Sequence, residues 1–178
     1  WYENNGSESF SGNEIGTGDN AVYPVDIDSD GDIDVVTTDR VEDRIILHEN
    51  TGAENFNSTY YISNESDQPK SVYATDVDGD EDIDILSAVS PNTIAWYENN
   101  GVVTWTKHII SSTADHAQAV YAVDINGDGD TDVLSASAND DKIAWYENNG
   151  SEGFNMHIIT TNADYAWSVY AADLDNDG

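Results

Sequence analysis

Asp26-Ile27-Asp28-Ser29-Asp30-Gly31-Asp32-Ile33-Asp34 sets an oxygen-bearing side chain at every second position, and the pattern returns three more times. The copies are Asp76-Val77-Asp78-Gly79-Asp80-Glu81-Asp82-Ile83-Asp84, then Asp124-Ile125-Asn126-Gly127-Asp128-Gly129-Asp130-Thr131-Asp132, then Asp173-Leu174-Asp175-Asn176-Asp177-Gly178. Their first aspartates recur after 50, 48 and 49 residues, an interval that implies an array of like structural units. Oxygen ligands at alternate positions, with a glycine permitting the bend, imply that each unit holds a hard cation, and calcium suits such loops best.

In the first copy the expected ligands are Asp26, Asp28, Asp30 and Asp34, with the backbone carbonyl of Asp32. The third offers Asp124, Asn126, Asp128 and Asp132 with the carbonyl of Asp130; its asparagine keeps an oxygen but subtracts a charge, which predicts weaker binding. The second has Asp76, Asp78, Asp80 and Asp84 with the carbonyl of Asp82, but Glu81 replaces the glycine, which predicts strain in the turn. The fourth offers Asp173, Asp175 and Asp177 and is expected to be empty or poorly formed. Such all-oxygen cages leave little coordination for substrate, so the metal is read as structural. Acidic turns without metal are the alternative.

Charge supports the metal. The chain of 178 residues carries 36 acidic against five basic residues, a net charge of -31, and 18 of the carboxylates fall in the four loops. Clustered like charges oppose the compact state unless a cation neutralises them. The basic residues stand singly (Arg40, Arg44, Lys70, Lys107 and Lys142), so no basic stripe exists to track nucleic acid. No apolar run is long enough to span a membrane as a helix. Cysteine is absent, which excludes disulfides and thiolate chemistry and fits a secreted bacterial protein stapled by metal, a reducing compartment being the other option.

Aligned on the acidic loops, the rest of each unit falls into register. Val22–Val25, Val72–Thr75, Val120–Val123 and Val169–Ala172 precede the loops, and Val35–Thr38, Ile85–Ala88 and Val133–Ala136 follow them. Third runs cover Arg44–Asn50, Thr93–Asn99 and Lys142–Asn148, with Trp1-Tyr2-Glu3-Asn4 as the tail of another copy; fourth runs are Tyr60–Ser63, His108–Ser111 and His157–Thr160. These β-branched and aromatic runs read as strands, and the Asn-Gly pairs at 5–6, 100–101 and 149–150 read as hairpin turns. Ile94 and Trp96 alternate with Ala95 and Tyr97, so both faces of that strand are expected to be buried.

Four antiparallel strands per roughly 49 residues, without a helical period, predict an all-β fold of β-propeller blades. A solenoid of stacked hairpins is the alternative. The expected division is a partial blade over 1–17, blades over 18–65, 66–113 and 114–162, and a partial blade over 163–178. Such an arc is expected to be completed by further blades from a longer chain or a second copy.

The repeated Val-Tyr-Ala-x-Asp-x-Asp-x-Asp-Gly unit and the Trp-Tyr-Glu-Asn-Asn-Gly strand end resemble the FG-GAP-like or VCBS repeats, whose relatives include the integrin α-subunit propellers. The Phe-Gly and Gly-Ala-Pro motifs of the name are absent, which brings the chain nearer the bacterial type. The resemblance implies a propeller, calcium between the first two strands of each blade, and an extracellular setting. It fixes no single activity, since such propellers serve as adhesion modules, lectins and scaffolds of polysaccharide lyases.

A ligand site is expected where matched positions differ between units. Asp67-Gln68-Pro69-Lys70-Ser71, Asp115-His116-Ala117-Gln118-Ala119 and Asp164-Tyr165-Ala166-Trp167-Ser168 are such a set, read as connections into the first strands on the face opposite the metal loops. Lys70, His116, Gln118, Tyr165 and Trp167 are the candidate contacts, in a mixture of aromatic and polar groups that suits a glycan, with a protein partner as the other possibility. Ordinary loop variation explains them otherwise. His108 and His157 share a slot with Tyr60, and Trp1, Trp96 and Trp145 share one with Leu47, so packing is the expected role of both sets. No catalytic triad, His/Cys metal cluster or phosphate loop is present, so no catalytic residue is assigned. The reading is a calcium-stabilised extracellular binding or adhesion module, against a carbohydrate-active enzyme such as a polysaccharide lyase, or a structural spacer of a surface protein.

Overall fold

The computed structural model describes residues 1–4, 6–7, 9–16, 20–101 and 104–174, and among them no helix occurs. Twelve of the strands form three four-stranded antiparallel sheets, each a meander in chain order. A short ribbon precedes them, β1 (Tyr2–Asn4) paired with β2 (Phe10–Gly12). The first sheet is β3 (Val22–Val25), β4 (Asp34–Asp39), β5 (Arg44–Glu49) and β6 (Ser58–Ser63). The second is β7 (Pro69–Thr75), β8 (Asp84–Val89), β9 (Thr93–Asn99) and β10 (Trp105–Ser111). The third is β11 (Ala117–Val123), β12 (Asp132–Ser137), β13 (Lys142–Asn148) and β14 (Phe154–Thr160).

Burial explains the stacking of the sheets. Val36, Ile45, Leu47 and Ile62 of the first meet Val72, Ala74, Ile85, Ala95 and Tyr97 of the second. On its other face the second presents Leu86, Ala88, Ile94 and Trp96 to Ala117, Val120, Val133, Ala144 and Tyr146 of the third. Strand β9 thus sends Ile94 and Trp96 to one neighbour and Ala95 and Tyr97 to the other, as its alternation predicts, and all four are buried. First strands lie side by side, joined by a ladder of Tyr23, Tyr73, Tyr121 and Tyr170 with successive ring centroids 5.0, 5.1 and 4.8 Å apart. Face-to-face meanders with their first strands adjacent are blades of a β-propeller, here an open arc.

Four expectations need correction. Val169–Ala172 forms no strand, since it has no ladder partner among the described residues; Tyr170 nonetheless keeps its place beside Tyr121. Pro69–Ser71 and Ala117–Ala119, read as connections, already belong to β7 and β11, where the register slips by one residue at Lys70 and at Gln118. The Asn-Gly hairpins are not two-residue turns: Asn99 pairs with Trp105 and Asn148 with Phe154, and of each Asn-Gly pair only the glycine takes positive φ. Of the three tryptophans sharing a slot only Trp96 is fully buried: among the described residues no following blade lies over Trp145, and Trp1, in the short ribbon, stays exposed across a cavity from Val35 of the first blade. Strand β2, which lacks a β-branched run, was not anticipated at all.

Candidate metal centres and the opposite face

Each acidic loop joins the first strand of a blade to the second, and its backbone is tied by its own carboxylates in one repeated scheme. Asp26 accepts hydrogen bonds from the backbone N–H groups of Asp30 and Gly31 at 3.2 and 3.1 Å. Asp76 accepts from Gly79 and Glu81 at 2.7 and 3.0 Å, and Asp124 from Gly127 and Gly129 at 2.7 and 3.0 Å. Asp30, Asp80 and Asp128 each accept the N–H two residues on. Loop shape is therefore set by the residues themselves.

The last aspartate of each loop begins the second strand and is fully buried. Asp84 accepts from Val77 N–H at 2.9 Å and from Asn99 N–H at 2.8 Å, and so joins loop, second strand and the end of β9. Asp34 does the same with Ile27 and Asn50, and Asp132 with Ile125 and Asn148. The partner asparagines return an amide bond to the carbonyls of Ile33, Ile83 and Thr131. Sequence reasoning passed over Asn50, Asn99 and Asn148 as strand ends; their recurrence in every Glu-Asn pair was the available signal.

Ligand oxygens of Asp26, Asp28 and Asp34 lie within 4.8 Å of one another, as do those of Asp76, Asp78 and Asp84. Three carboxylates at that spacing can share one ion. Burial pushes the Asp84 carboxyl up to about 7, against the lowering effect of its two backbone hydrogen bonds and with help from the charges of Asp78 and Asp80. Burial likewise raises Asp34, Asp28 and Asp78, and neighbouring aspartates add to it. Carboxylates whose charge is unwelcome without a counter-ion are what a cation site requires, so the residues fit a divalent ion. In the third loop Asn126 stands in the triad position, its oxygen accepting Asp128 N–H at 3.1 Å and its amide donating to Asp128 and Glu147.

Glu81 carries φ of 75°, matching Gly31 at 93° and Gly129 at 96°, so the strain expected of that substitution is present while the triad still forms. Asp30 and Asp80 stand outside the triads. The side chains of Asp32, Asp82 and Asp130 face the turn glycines Gly52, Gly101 and Gly150, where a Cβ on Gly150 would lie 2.8 Å from Asp130. Asp173 is described, but Asp175 and Asp177 lie outside the described residues.

On a meander the connections alternate between ends, which puts residues 67–71, 115–119 and 164–168 at the end opposite the metal loops. Gln68, His116 and Tyr165 all have positive φ, at 42°, 57° and 52°. In the first two units a β-bulge follows, with Lys70 or Gln118 as the extra residue. Bulges re-aim side chains. Lys70 Nζ and His116 Nε2 meet at 3.1 Å across two blades, and the Gln118 amide donates to the His116 carbonyl at 3.2 Å. Burial, then the charge of Arg40, lowers the Lys70 pKa. Gln118 is buried, whereas Tyr165 and Trp167 are exposed with rings stacked at 6.0 Å.

No helix of the described residues is long and apolar enough to cross a membrane. Among curated proteins no significant match to the chain is found. The FG-GAP-like repeat matches three times, over residues 26–87, 76–135 and 124–178, each match starting at the first aspartate of a loop. With that match running from residue 26 to residue 178, the chain belongs to the FG-GAP-like repeat family.

Proposed function

We propose that this chain is part of an extracellular binding module in which calcium held by the acidic loops is structural and the opposite face engages a glycan. Calcium is favoured over magnesium because short, flexible loops of carboxylates and carbonyls suit a large ion of variable coordination, whereas magnesium demands a rigid octahedron and keeps its waters. An extracellular setting follows from the same chemistry, since calcium is abundant there.

The observation that carries the recognition face is its repeated backbone device. A residue in the left-handed region presents a different side chain in each unit (Gln68, His116, Tyr165), and the position two residues on supplies Lys70, Gln118 and Trp167. A shared left-handed turn that carries varied side chains is a mounting for specificity. The exposed Tyr165–Trp167 stack offers the flat apolar faces against which sugar C–H surfaces pack.

The test is a glycan array probed with calcium-loaded protein, followed by titration of any hit. Binding without product release, weakened roughly tenfold or more in Trp167→Ala, is the expected result. Silence across the array, or appearance of unsaturated oligosaccharide products, would overturn it.

A further inference from the structure

The second and third blades each carry the same three-part stack. Trp96 lies under His108 with ring centroids 4.4 Å apart, and His108 Nε2 meets Glu98 Oε2 at 2.8 Å. Trp145 lies under His157 at 4.5 Å, and His157 Nε2 meets Glu147 Oε2 at 2.8 Å. In the first blade the glutamate remains as Glu49, but Leu47 replaces the tryptophan and Tyr60 the histidine.

Two consequences appear together. A cleft of about 400 Å³ opens between the first and second blades beside the first metal loop, lined by Leu47, Glu49, Tyr60 and the loop residues Ile27–Ser29, among them the triad member Asp28, on one side and by Asp82, Asn99 and Trp105 on the other. Glu49 loses its partner as well: among the described residues no hydrogen bond or ion pair holds its carboxylate, whereas Glu98 and Glu147 each hold a ring nitrogen. The molecule therefore displays, one and two repeats later, what the cleft is missing: an N–H donor for the glutamate, carried on a body that packs against the neighbouring rings.

We infer that this inter-blade cleft binds a small hydroxylated organic ammonium of the amino-sugar type, its ammonium on Glu49 and its ring against Tyr60 and Trp105. The volume falls in the range of small-molecule sites. Aromatic walls accept both C–H faces and cations. Asp82 adds a carboxylate for hydroxyls, and a protein of net charge -31 draws cations and repels anions. The cleft lies at the metal end and is independent of the recognition face proposed above.

Calorimetric titration of the calcium-saturated protein with glucosamine, and with glucose as the neutral analogue, tests the inference. Glucosamine binds and glucose binds at least about tenfold more weakly, as loss of a charge-assisted hydrogen bond predicts. Glu49→Gln, which keeps the shape, removes the preference. The pair Leu47→Trp with Tyr60→His rebuilds the stack of the other blades and abolishes binding; should that pair not fold, Glu49→Gln still decides. Trp167→Ala leaves glucosamine binding unchanged, which separates this cleft from the opposite face. No glucosamine binding, equal binding of both sugars, or a preference that survives Glu49→Gln would each overturn the inference.

Discussion

Asp84 combines complete burial with a carboxyl pushed up to about 7, and it is the acceptor for two backbone N–H groups. Replacing it with alanine strands both donors, so Asp84→Ala loses about 2–6 kcal/mol in urea denaturation, at about 1–3 kcal/mol per unsatisfied buried group. Its raised pKa also fixes a pH dependence for the chelated protein. The folded state binds this proton more tightly than the unfolded chain, whose value is 3.8, so stability falls as pH rises from about 4 to about 7 and levels off above. The drop is on the order of a few kcal/mol, and saturating calcium removes it by cancelling the charge. Urea melts at pH 4.5 and 8, with and without chelator, read the difference; a chelated protein more stable at pH 8 contradicts the assignment. Glu81 adds a third residue-scale prediction, because a side chain at φ of 75° is strained: Glu81→Gly gains about 1 kcal/mol, measured by the shift in urea midpoint. The sequence made the loop carboxylates and the strained glutamate legible, since both follow from residue type and spacing. It did not distinguish the buried last aspartate from the exposed ones, because its burial comes from the strand it begins and from Asn50, Asn99 or Asn148 approaching from elsewhere.

At the scale of the element, one strand shows how a blade is held. Strand β9 buries side chains on both faces, so truncating either side opens a cavity against a neighbouring blade. Trp96→Ala costs about 3–5 kcal/mol, the range for large aromatic truncations in cores, whereas Trp145→Ala, in the same slot but half-buried, costs markedly less by the same urea assay. Equal losses would mean that the slot and not its burial sets the cost. Strand positions were readable because β-branched runs and alternation declare them. The bulges at Lys70 and Gln118 and the long connections after Asn99 and Asn148 were not, because register depends on pairing between strands and not on the composition of either.

For the whole molecule the governing quantity is charge. A net -31 with half the carboxylates gathered in four loops makes the ungated fold self-repulsive, and its period of about 49 residues distributes that repulsion evenly along the arc. The propeller architecture was legible from that period alone, since a unit repeating with four strand runs has few ways to bury both faces. The cleft between the first two blades was not, because it arises from what Leu47 and Tyr60 fail to fill, and a missing volume leaves no mark on a pattern. Calcium titration of chelator-stripped protein, followed by its melting temperature, bears most directly on the account. Filling two sites at a hundredfold excess over Kd raises the melting temperature by about 10 °C or more, and magnesium does far less. A melting temperature indifferent to calcium and to chelator would contradict it.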